Sequence, residues 1–249
     1  MKQIYSIGVG LIGGSLALDI KANNPEAVIH GISRKQTTLD KALALKLIDK
    51  KAVLEDIKHA DLVIISIPVD ATVKLLPRVL DLISDTTLVV DAGSTKVDIC
   101  NAVAQHPRRR NFLAMHPIAG TEHSGPEAAI TGLFKGKTNI ICEVEKTTFK
   151  LQEKALKLFA DMGMRMRYMN PEAHDKHIAY VSHLSHISSF TLGKTVIENA
   201  EPTGEVEAEV PKVEATEETK DSPPESKDDS VEVLRKQLEA FQAKAQDEK

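Results

Sequence analysis

The stretch Ile4-Tyr5-Ser6-Ile7-Gly8-Val9-Gly10-Leu11-Ile12-Gly13-Gly14-Ser15 decides the fold. An apolar run feeds a Gly-x-Gly-x-x-Gly turn, and a helix-forming segment follows. In that order the glycines have separate tasks. Gly8 permits the tight turn, Gly10 lets the backbone approach a pyrophosphate, and Gly13 lets helix and strand pack closely. Leu11 and Ile12 fill the two positions between. The N–H groups at the start of the helix face the phosphates. Strand, turn and helix in this sequence predict a dinucleotide site rather than a structural glycine turn.

Outward from this turn, β-rich runs alternate with segments of helical period. Strands are expected at 3–8, 28–32, 61–67, 87–91, 111–115, 138–143 and 164–168. Helices are expected at 14–22, 36–46, 70–82, 95–105, 147–161 and from about 172 to 199. The runs 61–67 and 88–91 are almost continuously apolar, as strands buried on both faces must be. Such alternation predicts an α/β fold, a Rossmann-like, doubly wound, mainly parallel sheet. Ligands then bind outside the carboxyl ends of the strands. That places the chemistry at 8–13, 33–35, Ile67-Pro68, 91–96 and 116–120.

The 249 residues carry a net charge of −4, unevenly spread. Residues 1–200 hold 25 Lys+Arg against 21 Asp+Glu, a balance of +4; residues 201–249 hold 7 against 15, a balance of −8. The expected organisation is a nucleotide-binding domain over 1–170, the first helix of a helical domain over 171–200, and an acidic tail over 201–249. The tail has four prolines and one aromatic residue, Phe241, too little apolar area to offset its chain entropy, so disorder is expected. Within it, Val231, Leu234, Leu238, Phe241 and Ala245 form an amphipathic stripe over 231–246, too short for a stable lone helix.

Cys100 and Cys142 have no metal or redox spacing and read as buried thiols. The chain enters a strand at once, with no signal peptide, and no apolar run approaches the ~18 residues of a membrane span. A cytoplasmic protein without a membrane partner is expected. Arg108-Arg109-Arg110 reads as a solvated loop, since no aromatic residues interleave it, and no nucleic-acid partner is expected.

Cofactor choice turns on the residue about 20 positions past the glycines, where a carboxylate normally holds the ribose 2′-hydroxyl of NAD. Here that position is Ser33, followed by Arg34 and Lys35. A serine can hydrogen-bond a 2′-phosphate and the two cations can neutralise it, which favours NADP over NAD.

Three further groups stand out: Asp91-Ala92-Gly93-Ser94-Thr95-Lys96, His116-Pro117-Ile118-Ala119-Gly120-Thr121-Glu122 and Ser182-His183-Leu184-Ser185-His186. The two late histidines share a helix face at i,i+3. No carboxylate or thiol completes a ligand set around them, so no metal is expected. Together with the glycine turn, in this order and spacing, these groups resemble the prephenate/arogenate dehydrogenases of tyrosine biosynthesis, over about residues 1–200.

The resemblance implies an NAD(P)-dependent oxidative decarboxylation of prephenate to 4-hydroxyphenylpyruvate, or of arogenate to tyrosine. It implies that His116 takes the proton of the substrate hydroxyl, with Ser94 beside it at the nicotinamide. It implies that Thr121, Glu122, His183 and His186 line the substrate pocket. Lys96 either orients a substrate carboxylate or only caps its helix. The family's helical dimerisation domain, with an arginine for a substrate carboxylate, is not recognisable beyond Ala200, so at most a weak homodimer is expected. Two other readings compete. One is a catalytically impaired nucleotide-binding remnant with a partner-binding tail. The other, a different small-molecule dehydrogenase, leaves the histidine motifs unexplained.

Overall fold

The structure is a computed structural model that describes residues 1–180. The order of elements is β1 (Gln3–Ile7), α1 (Leu11–Asn23), β2 (Val28–Ile32), α2 (Gln36–Ala44), β3 (Lys50–Lys51), β4 (Leu62–Ile65), α3 (Val69–Leu82), β5 (Leu88–Asp91), α4 (Val97–Ala102), β6 (Phe112–Pro117), β7 (Thr138–Cys142), α5 (Phe149–Asp161), β8 (Arg165–Met169) and α6 (Pro171–Ile178). The strands form one sheet in the order β3-β2-β1-β4-β5-β6-β7-β8. Every neighbouring pair is parallel except β6 and β7.

The chain starts at β1, winds out to β2 and β3, then returns to β4 on the other side of β1. That reversal leaves a crevice at the carboxyl end of β1, the usual ligand position in a doubly wound sheet. The β6–β7 connection carries no crossover helix, so β7 returns antiparallel. Its loop packs back over α1: the Ile130 N–H donates to Ser15 Oγ at 3.0 Å and the Gly132 N–H to Asp19 Oδ1 at 2.6 Å.

Alternating residues of the central strands feed two cores. Ile4, Ile29, Leu62, Ile64, Val90 and Leu113 pack with α1, α2 and α5. Tyr5, Ile7, Val63, Ile65, Val89 and Phe112 pack with α3, α4 and α6. This two-sided burial is why the strand sequences lack polar alternation. Both cysteines are buried, and burial pushes the Cys142 thiol up to about 12.

Several boundaries differ from expectation. Helix α1 begins at Leu11, three residues early, because the glycine turn runs directly into it. Helix α4 spans only 97–102, since its end loosens into i+3 bonds from Val103 to Cys100 and Ala104 to Asn101. Strand β3 was not anticipated; two exposed lysines carry no apolar signal. Arg109 does not lie in a solvated loop. It is 6% exposed, donates to the Phe112 carbonyl at 2.7 Å and pairs with Glu143 at 2.9 Å. The expected tail, its 231–246 stripe, and the helix beyond Tyr180 lie outside the described residues.

Candidate active site

Two clefts open beside α3 and α6. The first, of about 810 Å³, lies at the carboxyl ends of β1, β2 and β4. Gly8 has φ +93°, and a Cβ there would stand 2.4 Å from the Ser66 carbonyl oxygen, so only glycine fits. A Cβ on Gly13 would stand 2.2 Å from the Gly8 carbonyl oxygen, where helix and turn meet. Over Gly10 the nearest atom to such a carbon is 4.0 Å away. Protein packing therefore does not demand glycine at Gly10; the open space is what close approach of a phosphate needs. Gly10 precedes α1 and Leu11, Ile12 and Gly13 form its first turn; unlike Gly8 they are not among the residues lining the cleft, and no side chain caps the helix and no acidic residue occupies its first turn. The exposed N–H groups are thus left for an anion.

Ser33, Arg34, Lys35, Ile67 and Pro68 all line this cleft with Gly8, as the sequence suggests. Lys74 of α3 joins them, a residue the sequence reading missed because only folding brings α3 opposite the β2 loop. None of the lining residues is acidic. A glycine turn with three cations fits the phosphates of a nucleotide.

The second cleft, of about 870 Å³, lies along β6, β7, β8 and α6. It brings Ser94, His116, Thr121 and Glu122 together. Ser94 follows β5 while Ile67-Pro68 follow β4, and β4 and β5 are adjacent, so the clefts are neighbours. Arg167 and His177 also line the second cleft. His116, Ile140 and Arg167 stand in register across three strands and hence on one face of the sheet. Register is a tertiary property, so Arg167 carried no sequence signal.

Behind the cleft His116 meets a hydrogen-bonded chain. Its Nδ1 is 3.0 Å from His174 Nε2, and His174 Nδ1 is 2.7 Å from Asp175 Oδ1. Asp175 also accepts the backbone N–H groups of Lys96 at 2.6 Å and Val97 at 2.9 Å. His174 is fully buried, and that burial lowers its pKa. Burial alone would raise Asp175, but its N–H donors and His174 outweigh that and hold its carboxyl below the usual range. The sequence reading passed over both residues. The available signal was Asn170-Pro171, a helix start whose Asn170 side chain accepts the Ala173 N–H at 2.7 Å and so fixes the next two residues.

Lys96 requires a correction. It does not line the cleft, and its side chain is 0% exposed. Its Nζ is bonded to the Asp91 carboxylate and, at 2.9 Å, to the Met115 carbonyl. Asp91 in turn accepts the Gly93 and Met115 N–H groups. The pair ties the end of β5 to β6 one residue before His116. Lys96 thus stands at the N-cap position of α4 without a side-chain cap bond, and its Nζ is turned into the protein rather than into the cleft, where it sets the frame on which His116 stands. His183 and His186 lie outside the described residues. Among the described residues, no group of three or more His, Cys, Asp or Glu could hold a metal ion, and no helix is long and apolar enough to cross a membrane.

Comparison with known proteins places the fold in a family. The family profile described as the prephenate dehydrogenase nucleotide-binding domain matches residues 16–168, and that of the prephenate dehydrogenase dimerization domain matches residues 170–209. A prephenate dehydrogenase of Bacillus subtilis is 35% identical over 193 residues, which are 76% of this chain and 52% of that protein. The chain thus spans about half the length of that relative. The crystal structure of prephenate dehydrogenase from Aquifex aeolicus, in complex with hydroxyphenyl propionate and NAD+, superposes with a TM-score of 0.72 at 31% identity, covering 81% of this chain and 71% of that one. A Synechocystis arogenate dehydrogenase gives a TM-score of 0.69 at 26% identity, covering 80% and 71%. With its glycine turn, Ser94, His116 and Thr121-Glu122 on adjoining clefts, and most of its length matched, the chain belongs to the prephenate dehydrogenase family.

Proposed function

We propose that this chain oxidatively decarboxylates prephenate with a nicotinamide cofactor, NADP in preference to NAD. The observation that carries this reading is the junction of the two clefts. A dinucleotide cradle opens next to a pocket holding His116, Ser94 and the cation Arg167. The relatives named prephenate dehydrogenase support the substrate class, and the Aquifex complex with NAD+ supports the cofactor class. Ser33, Arg34, Lys35 and Lys74, with no acidic neighbour in the cleft, support the 2′-phosphate.

A nicotinamide held by the first cleft would supply the hydride acceptor for the carbinol carbon of the ring. His116 accepts the proton of the hydroxyl on that carbon, a task suited to an imidazole with an ordinary pKa of about 6.5. Loss of the ring carboxylate as carbon dioxide leaves its electron pair in the ring, which becomes aromatic. His116 then returns its proton to the phenolate oxygen, so the enzyme is regenerated. Arg167 pairs with a substrate carboxylate, and Ser94 orients the reacting groups between cofactor and His116. Glu122 in the same cleft favours a second reading, arogenate, whose ammonium a carboxylate can hold.

The test is turnover by the full chain, supplied with NADP or NAD and with prephenate or arogenate in turn. Prephenate-dependent formation of reduced cofactor and 4-hydroxyphenylpyruvate is expected. Binding of cofactor without turnover of either substrate would instead identify a nucleotide-binding remnant.

A further inference from the structure

We propose that His174 and Asp175 are positioning residues that fix the orientation and tautomer of the His116 ring, with the proton on Nδ1 and the basic lone pair on Nε2. This deepens the reading of His116 as proton acceptor and rests on it for its catalytic meaning.

The hydrogen-bonded chain is fixed at its inner end by Asp175. Its carboxylate accepts two backbone N–H groups at the start of α4, at 2.6 and 2.9 Å. An ionised carboxylate only accepts, so His174 Nδ1, at 2.7 Å, is the donor. Burial keeps His174 neutral, so it holds one proton, already placed on Nδ1. The charged groups acting on it are Asp175 and Asp91, which favour the cation, and Lys96, which opposes it. His174 Nε2 is then an acceptor, and at 3.0 Å its donor is His116 Nδ1–H. A neutral His116 with its proton on Nδ1 has its lone pair on Nε2. When Nε2 takes the substrate proton, the imidazolium keeps Nδ1–H directed at His174, and the Asp175 carboxylate stabilises the positive charge through it.

The same carboxylate binds the N–H groups of Lys96 and Val97, just after the Ser94 loop. One residue of α6 therefore fastens both the base and the loop beside it. A purely structural cap on α4 would also hold the loop, but it would be indifferent to the His116 tautomer.

The experiment reads that tautomer in the full chain labelled with ¹⁵N-histidine. The His116 resonances are assigned by their loss in His116→Asn. Expected in the wild type are a protonated Nδ1 and an unprotonated Nε2 on His116. In Asp175→Asn the amide oxygen can keep accepting from His174 Nδ1–H and the Lys96 N–H, so the wild-type tautomer persists without the carboxylate charge; in His174→Ala, which removes the acceptor of His116 Nδ1–H, the His116 ring is no longer held to one tautomer and protonated Nε2 appears. In His174→Gln, whose amide oxygen can still accept from His116 Nδ1–H, the wild-type tautomer persists. With prephenate, Asp175→Asn and His174→Ala lower kcat about 10–100-fold with KM nearly unchanged, as loss of an outer hydrogen-bond partner does, and His174→Gln restores part of it. A wild-type His116 protonated on Nε2, or a tautomer as fully held in folded His174→Ala as in the wild type, overturns the proposal. If His174→Ala fails to fold, the wild-type and His174→Gln spectra still decide. Absence of prephenate turnover alongside the expected tautomer would count against the substrate reading alone.

Discussion

The two clefts share one sheet but are built by different physics. The nucleotide cleft is made of backbone. Its shape comes from a positive φ at Gly8 and from close approach at Gly13, and its lining comes from short segments that follow consecutive strands. The second cleft is made of side chains far apart in sequence: Ser94, His116 and Arg167 at its surface, with His174, Asp175, Lys96 and Asp91 behind. The first admits no added Cβ at Gly8 or Gly13. The second depends on buried charges whose removal leaves partners uncompensated. Specific substitutions should separate the two.

The largest stability effect is expected at Lys96. Lys96→Met leaves the Asp91 carboxylate buried without its cation, a loss of about 3–5 kcal/mol. Arg78→Ala, which breaks the exposed Arg78–Glu55 pair (62% and 59% exposed), should cost under about 1 kcal/mol. Urea unfolding of both variants checks the contrast; equal losses would mean that burial of the pair is irrelevant.

Next are the glycines. Gly8→Ala should destabilise by about 1–3 kcal/mol for backbone strain alone. Gly10→Ala, with open space around its new carbon, should fold as the wild type does yet bind nucleotide weakly. Calorimetric titration with cofactor, set beside thermal unfolding, reads both. A destabilised Gly10→Ala would show that protein packing, not ligand approach, requires that glycine.

Arg34→Ala should weaken NADP by about 1.5–3 kcal/mol, the worth of a hydrogen bond to a charged group, and leave NAD unchanged. Equal loss for both cofactors would remove Arg34 from the 2′-phosphate site. The smallest effect is a pH slope. Burial holds His174 below its ordinary 6.5, so the unfolded chain binds more protons just under that value and stability falls as the pH drops through the window. Asp175, held below 3.8, adds a further loss at lower pH. His174→Gln should flatten the first part of the profile, as urea midpoints across pH would show.

The same division governs what the sequence reveals. The glycine turn, the apolar strands and the Ser33-Arg34-Lys35 loop are local, so their order along the chain suffices to bring Gly8 and that loop to one cleft. The antiparallel return of β7 and the row His116–Ile140–Arg167 depend on tertiary pairing, which no window of sequence contains. Lys96 reads as either a carboxylate contact or a helix cap because its Asp91 and Met115 partners, which satisfy it inside the protein, are brought to it only by folding. Arg109 misleads likewise, since its buried partners Phe112 and Glu143 come from different segments. His174 and Asp175 look like ordinary polar residues of a first helical turn until α6 is laid against α4.

The central claim is that one cleft binds cofactor while the other supplies the base. It is tested most directly by measuring NADP affinity and prephenate turnover on one preparation of His116→Asn beside the wild type. Nearly equal affinity is expected, with a turnover lower by roughly 10²–10⁴-fold, the usual worth of a positioned base. Near-normal turnover in His116→Asn would contradict it.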